Sequence, residues 1–306
     1  MDTAKYRQAD AAFWRSVGEA PEERVVDLPR IGTSVRVQDV GAGPSVLFLH
    51  GGPNAGSAFA PMIPRFHGFR SLLVDRPGTG LSEAHPIDAD SLPEFGAFFV
   101  GDVLDGLGIE RAHLVGSSFG AHLAIRSAAA EPDRVDRMVL LSAPAFAQGD
   151  RTPPFMKLLK YDLVRKIVNA LPPNERANRS IMRQIGHGKT LDAGALSEDF
   201  SRWYLELLRH TDTMRNDGDM IARLIAHRDK VELSDDLLGA VRAPTLFLWG
   251  SDDSFGGEGV AQKMVASMPN AELKMIADAG HLPWLDDPDG IAAAGAEFLN
   301  AGTVEN

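Results

Sequence analysis

Gly116-Ser-Ser-Phe-Gly120 puts a serine at the centre of a G-x-S-x-G pattern, after an apolar run and before a helical stretch from Ala121 to Ala130. In a strand-to-helix setting this pattern is a turn so tight that its central side chain is pushed outward. Ser118 is therefore the candidate nucleophile, with Ser117 an off-centre neighbour. A serine needs a base that titrates near neutrality, and histidine is the usual choice. The chain has nine histidines, so position must choose among them. His67 and His85 fall in polar loops, His113 begins a strand, and His187, His210 and His227 fall in a helical stretch. His122 lies one turn beyond Ser118, where packing or capping is the expected use, and His50 is expected to brace its own loop. His281, in Ala279-Gly-His-Leu-Pro-Trp284, follows a strand at the end of the sheet where ligands bind. A carboxylate must orient that imidazole. Trp249-Gly-Ser-Asp-Asp253 follows the penultimate strand and offers Asp252 and Asp253, while Asp278 is too constrained by its closeness to His281 in sequence. Oxyanion stabilisation needs preorganised N–H donors, each worth roughly 3 kcal/mol of barrier. The backbones of Gly52, in His50-Gly-Gly-Pro53, and Phe119 are the candidates.

The elements that must hold these residues can be read from hydrophobic patterning. Continuous apolar runs at 45–49, 71–74, 112–115, 138–141 and 245–249, with a more mixed run at 272–276, read as strands, most of them buried on both faces. Helix-length amphipathic stretches at about 91–108, 119–130, 258–267 and 288–300 lie between most of them or follow the last. Strand alternating with helix predicts an α/β fold with a mostly parallel, doubly wound sheet. Two alternating segments at 24–30 and 33–40 read as exposed-edge strands. Tyr6, Ala9, Phe13 and Val17 define one face of an N-terminal helix over about 3–18. From 145 to 240 no buried strand is legible. Helices are expected near 156–168, 200–215 and 220–229, with Pro172-Pro173 ending the first. The organisation expected is a core of 1–144 and 241–306 with a helical insertion at 145–240.

Composition narrows the function classes. Apolar residues make up 44% and charged residues 24% of 306, the balance of an ordinary globular protein. A formal net charge of −11 disfavours nucleic acid and an anionic membrane as partners. The absence of cysteine removes disulfides, thiolate metal sites and a cysteine nucleophile. No secretory leader or membrane-length apolar stretch is legible, so a cytoplasmic location and a small-molecule substrate are the expectations. No metal-ligand spacing, phosphate loop or dinucleotide fingerprint is present, and no cofactor is expected.

Taken in order, these motifs resemble the α/β-hydrolase family over almost the full length. His50-Gly-Gly-Pro resembles its oxyanion loop, and Asp75-Arg-Pro-Gly-Thr-Gly-Leu-Ser82 resembles its Asp-x-x-Gly-x-Gly-x-Ser turn. Gly116 to Gly120 resembles the nucleophile elbow, Gly250-Ser-Asp-Asp253 the acid turn and Gly280-His281 the base loop. The resemblance selects Asp253 over Asp252 and implies that 145–240 is a cap. Phe155, Met156, Tyr161, Trp203 and Tyr204 of that interval are the candidate substrate-lining residues. A serine nucleophile argues against haloalkane dehalogenases and epoxide hydrolases, which use aspartate. Gly116-Ser-Ser-Phe-Gly and Trp249-Gly-Ser-Asp-Asp253 are similar to the carbon–carbon bond hydrolases of aromatic ring-cleavage products, although the loop after His50 lacks their Gly-Pro-Gly pattern. His50-Gly-Gly-Pro resembles proline iminopeptidases, but Asn54 stands where they have glycine and their Gly-Gly-Ser-Trp-Gly elbow is absent. The main expectation is acyl transfer on a small ester or lactone. Carbon–carbon bond cleavage and amide hydrolysis are alternatives, as are a lyase or cyclase, or a ligand-binding protein, on the same scaffold.

Overall fold

A computed structural model describes residues 2–301. The outermost ends of the expected core, Met1 and 302–306, lie outside the described residues. Eight strands form one sheet: β1 (Glu22–Leu28), β2 (Thr33–Gly41), β3 (Ser45–Leu49), β4 (Arg70–Val74), β5 (Ala112–Ser117), β6 (Val135–Leu141), β7 (Thr245–Gly250) and β8 (Ala271–Ile276). Their order is β1-β2-β4-β3-β5-β6-β7-β8, with β1 antiparallel to β2, β2 antiparallel to β4, and every later pair parallel. Leu47, Leu114, Leu140 and Phe247 bury one face of the sheet, and Phe48, Val115, Leu141 and Leu248 the other. Burial on both faces is why these strands read as unbroken apolar runs. The edge strand β8 alternates between half-buried and exposed positions, which accounts for its mixed composition.

Helices α2 (Leu92–Gly106) and α3 (Phe119–Ala130) cover the first face, together with the helix Glu258–Ser267. The helix Pro288–Asn300 and α1 (Thr3–Ser16) lie on the second. Between β6 and β7 the described residues form helices and no strand, the longest being Asp162–Ala170, Glu175–Gln184, Glu198–His210 and Thr213–Ala226. The stretch expected as one helix over 156–168 breaks at Tyr161, whose backbone is extended. The stretch expected over 200–215 is two helices, because Thr211 turns the chain out of the helix. The helix Glu175–Gln184 was not legible, because its residues are mostly polar.

β2 departs from the exposed-edge expectation. It lies inside the sheet, and its polar residues Arg36 and Gln38 are buried. They meet Asp10, a buried carboxylate on α1. Its Oδ2 accepts from Arg36 at 2.7 Å and Gln38 at 2.9 Å, and its Oδ1 accepts from Ser57 at 2.6 Å and from the Trp203 indole at 2.8 Å. Trp203 also stacks on Phe13 at 5.2 Å. The inward face of α1 is therefore Tyr6, Asp10, Phe13 and Trp14, displaced from the expected one by a carboxylate that apolar periodicity does not detect. Breaking a buried charged network costs about 3–5 kcal/mol; Arg36 would keep Glu23 and Asp75 as partners, but Gln38 and the Trp203 indole would lose their acceptor. Asp10→Ala should therefore lower stability by about that amount in urea unfolding; a change below about 1 kcal/mol would show that the network does not hold α1 in place.

Candidate active site

Ser118 sits between β5 and α3 with φ 52° and ψ −116°. A non-glycine residue in that region stores about 1–3 kcal/mol of strain and persists only when its surroundings dictate it. Here they do. A Cβ on Gly120 would collide with the Leu49 carbonyl, and one on Gly116 would lie 2.8 Å from the Ala121 Cα. A Cβ on Gly51 would lie 2.7 Å from that of Ser118. These glycines let the loop after β3 press against the elbow after β5, its parallel neighbour. That contact sets Gly51, which precedes Gly52, against Ser118, which precedes Phe119. The N–H groups of Gly52 and Phe119 have no acceptor within the protein among the described residues.

His281 donates from Nδ1 to Asp253, with Oδ2 at 3.0 Å and Oδ1 at 3.1 Å. Asp253 Oδ2 also accepts from the Ala143 N–H at 3.0 Å, and Oδ1 from the Phe255 N–H at 2.9 Å. The carboxylate is thereby fixed in plane for the imidazole. Phe255 stacks on the His281 ring at 4.1 Å. His281 Nε2 is buried without a hydrogen-bond partner among the described residues, Ser118 Oγ included. Asp252 instead pairs with Lys189 at 2.9 Å, and exposed Asp278 pairs with the same lysine.

Three other histidines show what a bracing role looks like. His50 Nε2 accepts the Arg76 N–H at 3.1 Å, and its Nδ1 donates to Gly51 O at 2.6 Å. His122 accepts from Arg126 at 2.7 Å and donates to Ala145 O at 2.8 Å. His187, in the helical interval, donates to Asp286 at 2.8 Å and accepts the Leu282 N–H at 3.2 Å. Each has both ring nitrogens engaged. The His187 pair, together with a 2.9 Å bond from the His281 N–H to Ile185 O, ties the base loop to the interval. Ser142, at φ 58° after β6, joins the acid turn to the base loop by accepting from the Gly250 N–H at 3.2 Å and donating to Gly280 O at 3.3 Å.

The five expected lining residues are spread out. Trp203 is committed to Asp10 and Phe13. Tyr161 is 53% exposed, with Lys160 over its ring. Phe155 and Met156 are half-buried. Tyr204 is buried and stacks on Phe200, and burial and then the Asp217 carboxylate push its hydroxyl pKa upward. Sequence reasoning missed Arg76, Ser142, His187, Asp217 and Asp286 as supports of the site. Arg76 lay inside a motif already singled out, whereas Asp217 has no local signature.

The α/β-hydrolase fold family matches residues 44–288, and the chain belongs to that family. A 2-hydroxy-6-oxononadienedioate/2-hydroxy-6-oxononatrienedioate hydrolase from Cupriavidus pinatubonensis is 30% identical over 87% of this chain and 91% of its own. A 2-hydroxy-6-oxo-6-phenylhexa-2,4-dienoate hydrolase from Burkholderia cepacia is 29% identical over 94% of this chain and 99% of its own. A carboxylesterase from Bacillus subtilis superposes with a TM-score of 0.79 at 22% identity, covering 98% of this chain and 99% of that one. The protein is a hydrolase on this scaffold. No helix among the described residues is long and apolar enough to cross a membrane.

Two predictions follow from this geometry. Asp253→Asn should lower kcat by about 10⁴-fold by presenting the wrong tautomer to Ser118, while Asp252→Asn stays within about twofold of wild type; steady-state kinetics on any turned-over substrate checks both. Burial, reinforced by Arg126, pushes the His122 pKa from 6.5 down to about 3, and burial with Arg76 pushes His50 well below 6.5. Below pH 6.5 the unfolded chain binds protons that the folded chain refuses, so stability present above that pH is lost as pH falls. The slope should reach about 1.4 kcal/mol per pH unit for each histidine. Unfolding between pH 7.5 and 5 should show this loss, and a slope unchanged in His122→Gln would remove His122 as a source.

Proposed function

We propose that the protein is a serine hydrolase that cleaves a carbon–carbon bond next to a ketone in a small 2-hydroxy-6-oxo-dienoate-type acid. The observation that carries this reading is that relatives aligned over most of both chains bear the names of hydrolases of such acids. The Ser118, His281 and Asp253 arrangement supplies the machinery. His281 Nε2 takes the Ser118 proton, and the serine oxygen adds to the ketone carbon. The oxyanion rests on the Gly52 and Phe119 N–H groups. The substrate reacts as its 2,6-dioxo tautomer, the 2-hydroxyl proton having moved to C5; collapse breaks the C5–C6 bond, and the leaving dienolate takes the proton back from His281. Conjugation of that fragment to a 2-oxo acid delocalises its charge, which a simple ketone cannot do. Water activated by His281 then releases the second acid from Ser118. The intervening helices act as a cap over this chemistry.

Ester hydrolysis, the main expectation from the sequence, is the second reading. It uses the same steps with an easier leaving group, and the loop after His50 departs from the carbon–carbon hydrolase pattern. Loss of dienolate absorbance from a 2-hydroxy-6-oxo-dienoate should be compared with turnover of short p-nitrophenyl esters, and both should vanish in Ser118→Ala. The proposal expects kcat/KM for the dienoate to exceed the best ester by roughly 100-fold, about 2.7 kcal/mol of transition-state preference. The reverse ratio would overturn it in favour of an esterase.

A further inference from the structure

The Arg76 guanidinium is 0% exposed and lies beneath the oxyanion loop. Its Nε donates to His50 O at 2.9 Å. Both hydrogens of Nη2 are used, one to Gly51 O at 3.1 Å and one to Asp217 Oδ2 at 2.8 Å. Its carbon stands 5.1 Å from the centroid of the Phe119 ring, beside the second oxyanion donor. Arg76 therefore holds the two carbonyls that immediately precede Gly52 and touches the residue that supplies the other N–H. A planar fork can serve several acceptors at once in a way that an ammonium cannot.

Asp217 belongs to the helix Thr213–Ala226, far from Arg76 in sequence, and is 2% exposed. A Cβ on Gly52 would fall 2.5 Å from its Oδ2, so this carboxylate also walls the oxyanion loop directly. The first turns of the same helix grip the neighbouring turn after β4. Thr213 accepts the Gly80 N–H at 2.9 Å, and Asn216 donates to Gly78 O at 2.8 Å. The helix thus engages both loops that flank the oxyanion donors, and the buried Arg76–Asp217 ion pair in that contact lies directly against Gly52.

We propose that Arg76 and Asp217 are a positioning pair for the oxyanion loop, so that Gly52 is held in register with Ser118 only when the helix Thr213–Ala226 is seated. Neither residue touches the reacting atoms. The pair acts through the carbonyls of His50 and Gly51 and through the wall behind Gly52. The part of the chain that covers the site thereby completes the hole, and closure and oxyanion stabilisation become one event. The inference rests on the serine-hydrolase reading but not on the choice between carbon–carbon bond and ester.

The test uses Asp217→Asn, Asp217→Glu and Arg76→Lys. Each is followed by kcat and KM on a p-nitrophenyl ester, by the rate of labelling with a fluorophosphonate, and by Tm. Small misplacement of a catalytic group costs up to about 100-fold in rate. The expected result is a kcat lowered roughly 10- to 100-fold with KM within about twofold, and labelling slowed in parallel. Asp217→Glu keeps the buried charge but moves the carboxylate by one methylene, so it should show this split with Tm retained even if Asp217→Asn fails to fold. Arg76→Lys should not rescue. Wild-type kcat and labelling in a folded Asp217→Glu or Asp217→Asn protein would overturn the proposal, and so would a loss confined to KM, which would make Asp217 a substrate contact. A wild-type protein that neither labels nor turns over the ester would sink the serine reading itself, and the pair's proposed role with it.

Discussion

The close approach of two loops at the carboxyl ends of β3 and β5 is the contact on which the site depends. Where the two loops meet, side chains at Gly51, Gly116 and Gly120 would drive into Ser118, Ala121 and the Leu49 carbonyl. Gly51, Gly116 and Gly120 remove those side chains, and Ser118 takes up the remaining conformational cost at φ 52°. The strain is held because β5 and α3 are buried almost throughout their lengths and neither can shift to relieve it. One packing constraint thus sets the loop after β3 against the Ser118 elbow. The Asp75 turn belongs to the same unit. Its carboxylate accepts from the Gly56 N–H at 2.8 Å and the Leu81 N–H at 3.0 Å, closing the loops on either side of β4.

Histidine chemistry in this protein is decided by which nitrogen is left over. His50, His122 and His187 each accept from an N–H at one nitrogen and donate to an oxygen at the other, which leaves nothing for catalysis. His281 donates to Asp253 and keeps Nε2 unsatisfied. An unpaired buried acceptor costs about 1–3 kcal/mol, and among these four histidines only His281 carries that cost.

The helices between β6 and β7 are joined to the rest by buried polar groups rather than by apolar contact alone. Asp10 with Trp203, Arg76 with Asp217, and His187 with Asp286 each bridge that interval and the sheet-bearing part of the chain. Buried charge is a poor source of net stability compared with well-packed apolar residues, but a pair with one member missing is strongly unfavourable. Such pairs therefore specify where the helices sit more than they strengthen the fold. The contrast with 158–171 is clear. Leu158, Tyr161, Leu163, Ile167 and Leu171 there are more than half exposed, and no residue of the helix Asp162–Ala170 is buried.

By itself the sequence determined what local rules control. Apolar runs and their spacing located the strands, and glycines around Ser118 and before Asp253 and His281 marked turns that tolerate no Cβ. The resemblance to the family's order of nucleophile, acid and base rests on the same positions. The structure brings His281 to Asp253, the carboxylate that the resemblance selected over its neighbour Asp252. Tertiary structure decided the pairings between distant, chemically ordinary residues. Asp10 reads as a solvated helix residue until Arg36 and Trp203 arrive, and Asp217 as another surface acid until it meets Arg76. It also placed β2 inside the sheet and broke the helices at Tyr161 and Thr211. A buried charge is tolerable only where a partner is delivered to it, and delivery is a property of the whole chain's path, which no window of sequence contains.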